Sequence, residues 1–324
     1  MSLPEFQLLQ PRNLSEAVEF LARHGAEMQI LAGGTDLIPS LKQRLFTPRY
    51  VADIRRLPEL AGIRRTDGGI RIGALTPLAE IEADPLLLRE YPVLCKAAAS
   101  VASPVLRNMG TIGGNVCLDT RCLWYNQSLV WRKSCGFCIK KDGDLCHVAP
   151  GGTKCWATFS GDTPPALLCL EAELEIAGPK GTRRVALRNF YGNDGIAYLG
   201  LGKDEILAAV HLPASRAGYA GTYRKLRVRG SIDYPLAGVA VAVKKNGATV
   251  TDAAVAITAV NPAPTLVAAA TAALRGRELS AELADAVGAL ASDAARPFTT
   301  AVLTPQYRKD MIRVLTKRAL LSVA

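Results

Sequence analysis

No run of about eighteen apolar residues occurs in this chain, which argues against a membrane-spanning helix. The opening residues Met1-Ser2-Leu3-Pro4-Glu5-Phe6 lack the basic and apolar regions of a secretion signal, so the expected location is the cytoplasm. There is no G-x-G-x-x-G and no G-x-x-x-x-G-K-[ST], which disfavours a Rossmann dinucleotide site and a P-loop. Internal repeats and long disordered tracts are missing as well. The net charge of +10 invites a nucleic-acid reading, but the Lys and Arg residues are scattered and no nucleic-acid-binding motif accompanies them. Neither nucleic acid nor a membrane is therefore expected as a partner. An acidic protein partner, or balance for an anionic cofactor, accounts for the charge better.

Cysteine is abundant, and in one place. Six of the eight cysteines (Cys117, Cys122, Cys135, Cys138, Cys146 and Cys155) fall within residues 117–155. All three tryptophans, Trp124, Trp131 and Trp156, lie there or one residue beyond. In a chain that is not secreted, that density argues for metal or redox chemistry rather than a disulfide scaffold. Soft thiolates select zinc or iron–sulfur clusters. Cys95 and Cys169 sit in apolar runs and read as small buried hydrophobes.

With 324 residues and 49% hydrophobic content, the chain has material for two or three domains with cores of their own. Apolar spacing predicts a helix over 14–24 that stops at Gly25, a short buried strand over 28–32 and a helix from Leu37. A strand follows at 50–54, then a hairpin over 63–74 turning at Asp67-Gly68-Gly69. Thr76-Pro77 reads as an N-cap with proline at the first helical position, and 92–102 as a helix of small residues. Further strands are expected at 171–176, 185–187 and 206–212. Composition changes after Pro213-Ala214-Ser215-Arg216-Ala217-Gly218. Beyond it, Asn246-Gly247 marks a hairpin, alanine-rich helices fill 263–295 and a basic amphipathic helix starts at Pro305.

Two glycine-rich segments carry the chemistry. Gly33-Gly34-Thr35-Asp36 falls between a predicted strand and helix, and Thr111-Ile112-Gly113-Gly114-Asn115 reads as a loop leading into the cysteine segment. Glycines let backbone N–H groups approach a phosphate with no side chain between, and a following helix start favours negative charge. A glycine pair between elements is by itself usually only a turn; two such segments can clamp a pyrophosphate from two sides. Together, Ile30-Leu31-Ala32-Gly33-Gly34-Thr35-Asp36-Leu37, Arg107-Asn108 and Thr111-Ile112-Gly113-Gly114-Asn115 resemble the paired FAD loops of the molybdenum hydroxylase flavoprotein subunits. That family includes the medium subunits of carbon monoxide dehydrogenase and the flavin domain of xanthine dehydrogenase, and the resemblance covers essentially the whole chain.

The resemblance implies an α+β fold. A vanillyl-alcohol-oxidase-type (PCMH-type) FAD-binding domain would span 1–215, in subdomains 1–55 and 56–215, with an insertion over 117–157, followed by a smaller α+β C-terminal domain over 216–324. It implies FAD, with the diphosphate held by Gln29, Ile30, Leu31, Ala32, Gly33, Gly34, Thr35 and Asp36 on one side and Thr111, Ile112, Gly113, Gly114 and Asn115 on the other. Asp162, in Gly161-Asp162-Thr163-Pro164-Pro165, matches the family acid that contacts cofactor hydroxyls, and Lys225, in Tyr223-Arg224-Lys225-Leu226, a basic residue near the flavin. A carboxylate suits sugar hydroxyls and an ammonium offsets flavin or phosphate charge. By themselves the two read as a turn acid before prolines and a solvated strand lysine. No residue of this chain is expected to be catalytic.

Family members ordinarily have a short stretch between the second glycine segment and the residues matching Gly161; here the cysteine segment intervenes. Within the family this resembles the flavoprotein subunit of 4-hydroxybenzoyl-CoA reductase, whose insertion carries a [4Fe–4S] cluster. The resemblance implies Cys122, Cys138, Cys146 and Cys155 as its ligands, in the spacing C-x15-C-x7-C-x8-C. Cys135, in Cys135-Gly136-Phe137-Cys138, is the rival fourth ligand, and Cys117 reads as packing. On spacing alone a zinc staple of Cys135, Cys138, Cys146 and His147 or Cys155 is equally open. Lys133, Lys140, Lys141 and Lys154 are expected to offset cluster charge and attract an acidic electron donor, and the tryptophans to form a miniature core around the cluster. The implied role is electron transfer from ferredoxin to partner subunits, one bearing two [2Fe–2S] clusters and one the molybdenum cofactor, in a dimer of heterotrimers that removes the phenolic hydroxyl of 4-hydroxybenzoyl-CoA. Two readings stand beside it: an oxidative medium subunit with a zinc loop, and a non-redox zinc-stapled binding protein.

Overall fold

Short strands separated by helices pair in parallel, since each helix carries the chain back to the same end of the sheet. In the computed structural model, which describes residues 2–324, β1 (Gln7–Leu9), β2 (Met28–Leu31) and β3 (Tyr50–Asp53) form a parallel sheet of order β1-β3-β2. The helix Leu14–His24 buries Ala17, Val18 and Leu21 in a core shared with Met28, Ala52 and Ile54. Its Asn13 cap accepts from the Glu16 amide, and it ends where Gly25 takes a φ of 47°, a conformation that costs glycine little.

The second sheet is antiparallel. Its strands β4 (Ile63–Thr66), β5 (Gly69–Gly73), β6 (Glu173–Gly178), β7 (Gly181–Ala186) and β8 (Ile206–Pro213) run in the order β4-β5-β8-β6-β7. Central β8 is buried along almost its whole length, as its continuous apolar run requires. The chain between β5 and β6 carries the helices Leu78–Ala83, Pro85–Glu90, Pro92–Ala99 and Thr163–Cys169, and with them both the second glycine segment and the cysteine segment. The third sheet, of β9 (Ala220–Leu226), β10 (Ala237–Asn246), β11 (Thr249–Thr258) and β12 (Thr265–Leu266), is antiparallel in the order β12-β11-β10-β9.

Period-two alternation in β10 decides how this third sheet is used. Ala240 and Ala242 face a core shared with the second sheet and the helices Pro92–Ala99 and Thr163–Cys169, and their small side chains let those helices approach closely. Val239, Val241 and Val243 face the other way, into a core closed by the helices Ala268–Leu274, Ala281–Ala294 and Pro305–Leu321.

The structure departs from the sequence expectations at three kinds of place. Pro77 is the N-cap and the helix begins at Leu78, one residue later than Thr76-Pro77 signalled. The second glycine segment is a single helical turn, Ile112–Val116, capped by the Thr111 hydroxyl, rather than a loop. β1 is too short to show a period, and β9 carries glycine and charged residues, so neither has a clear strand signal.

One buried cation positions the ground beneath the cysteine segment. Arg308, fully buried, donates to the carbonyls of Leu236 (2.8 Å), Phe298 (2.9 Å) and Ala259 and to the Thr300 hydroxyl (3.3 Å). Replacing it strands several buried acceptors, each worth about 1–3 kcal/mol. Arg308→Met should lower the urea-unfolding free energy of the full chain by about 3 kcal/mol or more; a loss below about 1 kcal/mol would show that water takes over those carbonyls.

Candidate functional site

The first glycine segment meets the chain immediately before the second, at Met109 and Gly110. A side chain at Gly33 would collide with the Met109 carbonyl and come within 3.0 Å of the Gly110 Cα, and one at Gly110 would lie 3.5 Å from the Thr35 hydroxyl. Backbone-to-backbone contact of this kind is available only to glycine. The two segments nevertheless spend their N–H groups differently. Ile112 donates to the Thr76 carbonyl (3.0 Å), Gly113 to the Ala74 carbonyl (2.9 Å) and Gly114 to the Thr111 hydroxyl (3.1 Å). The amides of Gly33, Gly34, Thr35 and Asp36 donate to no protein acceptor among the described residues. The first segment thus offers a row of free donors, the arrangement that receives an anion. The second offers a bare surface at exposed Gly114, where an added side chain would meet only the Thr111 hydroxyl, at 3.2 Å. Gln29, Ile30 and Leu31 form β2 leading into the first segment, with Ile30 and Ala32 packed against the core of the first sheet.

Asp162 lies beside this assembly. Its neighbour Thr163 donates through both its amide (2.9 Å) and its hydroxyl (2.7 Å) to the Asn115 side chain. Tyr223 and Lys225, two residues apart on β9, point to one face and both reach Asp162, at 2.8 and 3.0 Å. Lys225 also donates to the Ser100 carbonyl (3.0 Å), and its side chain is only 5% exposed, so it is a buried partner and not a solvated strand lysine. Burial holds the Asp162 carboxyl above its usual range despite the opposing Lys225 ammonium and Tyr223 hydroxyl. A polar cleft of about 340 Å³ opens beside Tyr223 and Lys225, lined also by Ser100, Arg224, Arg227, Leu315 and Arg318.

In the cysteine segment, Cys122, Cys138, Cys146 and Cys155 line one small void together with Trp124, Tyr125, Lys140 and Trp156. Cys135, at the end of the helix Leu129–Ser134, does not line it. Among the described residues no three or more His, Cys, Asp or Glu side chains converge tightly enough to hold a single metal ion. His147 lines the same void, with its Nε2 on the Phe137 carbonyl and its ring stacked on Trp124 at 4.3 Å. Burial pushes the Cys122 thiol up to about 12 and Cys155 up to about 11, and the neighbouring cysteines add to the rise. Cysteine binds a metal as the thiolate, so burial opposes loading here unless the metal's own charge compensates it.

The lysines expected on the surface of this segment behave differently from one another. Lys140 is buried, donating to Asp119 (2.7 Å), the Gly195 carbonyl (2.6 Å) and the Thr120 hydroxyl. Lys154 lies over the Trp156 ring at 3.9 Å and Lys141 pairs with Asp142 at 3.2 Å, which leaves Lys133 as the exposed cation of the four. The tryptophans do not close one core: Trp131 is exposed against Trp124, and Trp156 packs on Phe298 of the 296–304 connection at 4.2 Å. The segment is wedged between other parts of the chain. Arg132, 1% exposed, donates to the carbonyls of Gln43 (3.2 Å) and Arg44 (2.8 Å), and the Leu123 amide donates to the Thr300 carbonyl (3.0 Å).

The comparisons with known proteins agree over the full length. The family described as the FAD binding domain in molybdopterin dehydrogenase matches residues 4–215, and the carbon monoxide dehydrogenase flavoprotein C-terminal domain matches residues 221–323. The chain belongs to this family of FAD-binding medium subunits. It is 30% identical to the carbon monoxide dehydrogenase medium chain of Afipia carboxidovorans over 97% of this chain and 95% of that one. With the xanthine dehydrogenase FAD-binding subunit of Escherichia coli it shares 26% identity over 95% of this chain and 92% of that one. Among solved structures it is similar to carbon monoxide dehydrogenase from Hydrogenophaga pseudoflava, with a TM-score of 0.81 and 30% identity over 100% of this chain and 98% of that one. As a family member the chain is an FAD-binding oxidoreductase subunit with an α+β fold. Among the described residues no helix is long and apolar enough to cross a membrane.

Asn115, Thr163 and Tyr223 gain their roles from contacts between segments far apart in sequence; each stands inside a quoted motif, but only Asn115 is singled out there. The Asp162–Lys225 pair gives a direct test. Removing one member of a buried pair leaves the other charge uncompensated, at about 3–5 kcal/mol. Lys225→Met should destabilise the full chain by that order, and adding Asp162→Asn should recover part of the loss. Additive losses in urea unfolding would mean that the two do not act as a pair.

Proposed function

We propose that the chain is the electron-transfer flavoprotein subunit of a cluster-bearing molybdenum enzyme, the observation that carries this being four cysteines, three buried and Cys122 partly buried, around one void in a family member. In this reading residues 1–215 are the FAD-binding domain, divided near residue 55 and interrupted by the insertion over 117–157, and 216–324 are the C-terminal domain. The free amides of Gly33, Gly34, Thr35 and Asp36 receive the FAD diphosphate, with residues 29–32 leading the chain to it. Thr111, Ile112, Gly113 and Asn115 fix the facing turn, and Gly114 leaves room for the cofactor. Lys225, which lines the polar cleft, and Asp162 paired behind it border the cofactor. Cys122, Cys138, Cys146 and Cys155 hold a [4Fe–4S] cluster. When bound, FAD supplies the exchange between one-electron and two-electron chemistry. What this chain's own residues do is hold the diphosphate, exclude water from the thiolates and fix both sites in one rigid body.

By resemblance, the enzyme is of the 4-hydroxybenzoyl-CoA reductase type. The substrate is dehydroxylated on a molybdenum-cofactor subunit, a second partner carries two [2Fe–2S] clusters, ferredoxin supplies electrons, and the assembly is a cytoplasmic dimer of heterotrimers. The names of the relatives favour a second reading, an oxidative medium subunit like those of carbon monoxide and xanthine dehydrogenases. Metal analysis separates the two. Anaerobically purified protein should contain flavin with about four iron and four sulfide per chain. Cys122→Ser, Cys138→Ser, Cys146→Ser and Cys155→Ser should each lose iron yet keep flavin, whereas Cys135→Ser and Cys117→Ser should keep both. Zinc with flavin, or flavin alone, would decide for the oxidative reading; iron loss in Cys135→Ser with normal iron in Cys122→Ser would move the fourth ligand. A second measurement addresses the flavin. Gly114→Val should fold, since an added side chain meets little of the protein, but come out flavin-poor; stoichiometric FAD in it would show that the cofactor passes elsewhere.

A further inference from the structure

Four consecutive residues, Asp119-Thr120-Arg121-Cys122, reach from the cysteine void to the first glycine segment. Cys122 lines the void. The Arg121 side chain turns the other way: its guanidinium bonds the Asp36 carboxylate and the Tyr234 hydroxyl, and lies over the Tyr234 ring at 4.0 Å. Tyr234 in turn donates to Asp36 at 2.8 Å. The Arg121 backbone pairs in both directions with Thr158, at 2.7 and 2.8 Å, just beyond Cys155. Asp119 and Thr120 receive the buried ammonium of Lys140, which also lines the void two residues after Cys138. The Thr120 hydroxyl and Lys140 both donate to the Gly195 carbonyl at 2.6 Å, and the Gly195 amide donates to the Cys155 carbonyl at 2.9 Å. Segments bearing Cys122, Cys138 and Cys155 are therefore fastened to the same short stretch that grips Asp36.

Asp36 is an acid at the end of a row of amides free to receive a diphosphate. Its carboxylate would repel that ligand unless neutralised, and Arg121 is the cation that neutralises it. We propose that Arg121 is a positioning residue through which the cysteine site and the flavin site are coupled. A filled cysteine site holds 119–122 in register, Arg121 then screens Asp36, and the glycine segment retains the dinucleotide. This rests on the function proposed above and adds that each site governs the occupancy of the other. By linkage, whatever factor the cluster contributes to FAD affinity, FAD contributes to retention of the cluster.

The test compares the purified holoprotein, in its complex, before and after iron is stripped with ferricyanide and EDTA. FAD release is followed as recovered flavin fluorescence. Stripping should speed release in the wild type by at least about fivefold, the lower end of typical couplings. In Arg121→Gln release should be fast in both states, with the iron dependence gone, and Arg121→Lys should restore part of it. Tyr234→Phe keeps the ring but loses the hydroxyl to Asp36; as a change on a half-exposed loop it should fold normally and lower the ratio. Conversely, deflavination should hasten iron loss to the chelator. Equal release from wild-type protein with and without iron overturns the coupling, and an Arg121→Gln protein that keeps the wild-type ratio overturns the assignment to Arg121. A protein with flavin but no iron overturns the reading of the cysteine site itself, an outcome distinct from an iron-loaded protein whose flavin ignores the iron.

Discussion

Gly33 and Met109 approach so closely that one methyl group between them would strike the Met109 carbonyl, and the site is assembled around that contact. The first glycine segment follows β2 of the parallel N-terminal sheet, while the second falls in the chain between β5 and β6 of the antiparallel sheet. Their meeting brings two separately built layers together. It also divides labour. The second segment spends its amides on Ala74, Thr76 and Thr111 to hold its single helical turn, and the first leaves its amides free. A clamp made of two identical halves is therefore the wrong picture: one half supplies donors and the other supplies a fixed, bare wall.

A second theme is the use of cations inside the protein. The chain carries a net charge of +10, yet several of its basic groups are buried where the segments join. Arg132 and Arg308 satisfy carbonyls of chain turns without a carboxylate at hydrogen-bond distance, while Lys140 and Lys225 pair with Asp119 and Asp162. Buried ion pairs contribute little net stability against apolar replacements, but each is costly to break singly. Placed at joints, they penalise every arrangement of the segments but one. The surface left over is less basic around the cysteines than a count of lysines implies, so electrostatic capture of an acidic donor would rest mainly on Lys133.

The cysteine segment is accordingly a wedge rather than an appendage. It is held by Arg132 to the turn at Gln43 and Arg44, by Trp156 and Leu123 to the 296–304 connection, and by Arg121 to Asp36. A deletion of the segment would remove all these anchors at once, so its effect on flavin could not be assigned to the cluster alone. Point changes at single cysteines separate the two.

The sequence by itself determined the elements whose signal is local. The helix from Leu14 to its stop at Gly25, the hairpin at Asn246-Gly247 and the long C-terminal helix from Pro305 follow from periodicity and from residues whose backbone preferences act within one turn. It also determined which residues merited attention, since glycine pairs and a dense run of cysteines are rare enough to stand out. The tertiary structure alone decided how they are used. That Lys225 is buried against Asp162, that Lys140 faces inward, and that Arg121 reaches Asp36 depends on contacts spanning tens of residues. An isolated lysine or arginine carries the same local signal whether it meets water or a buried carboxylate, because what fixes its partner is the packing of whole sheets.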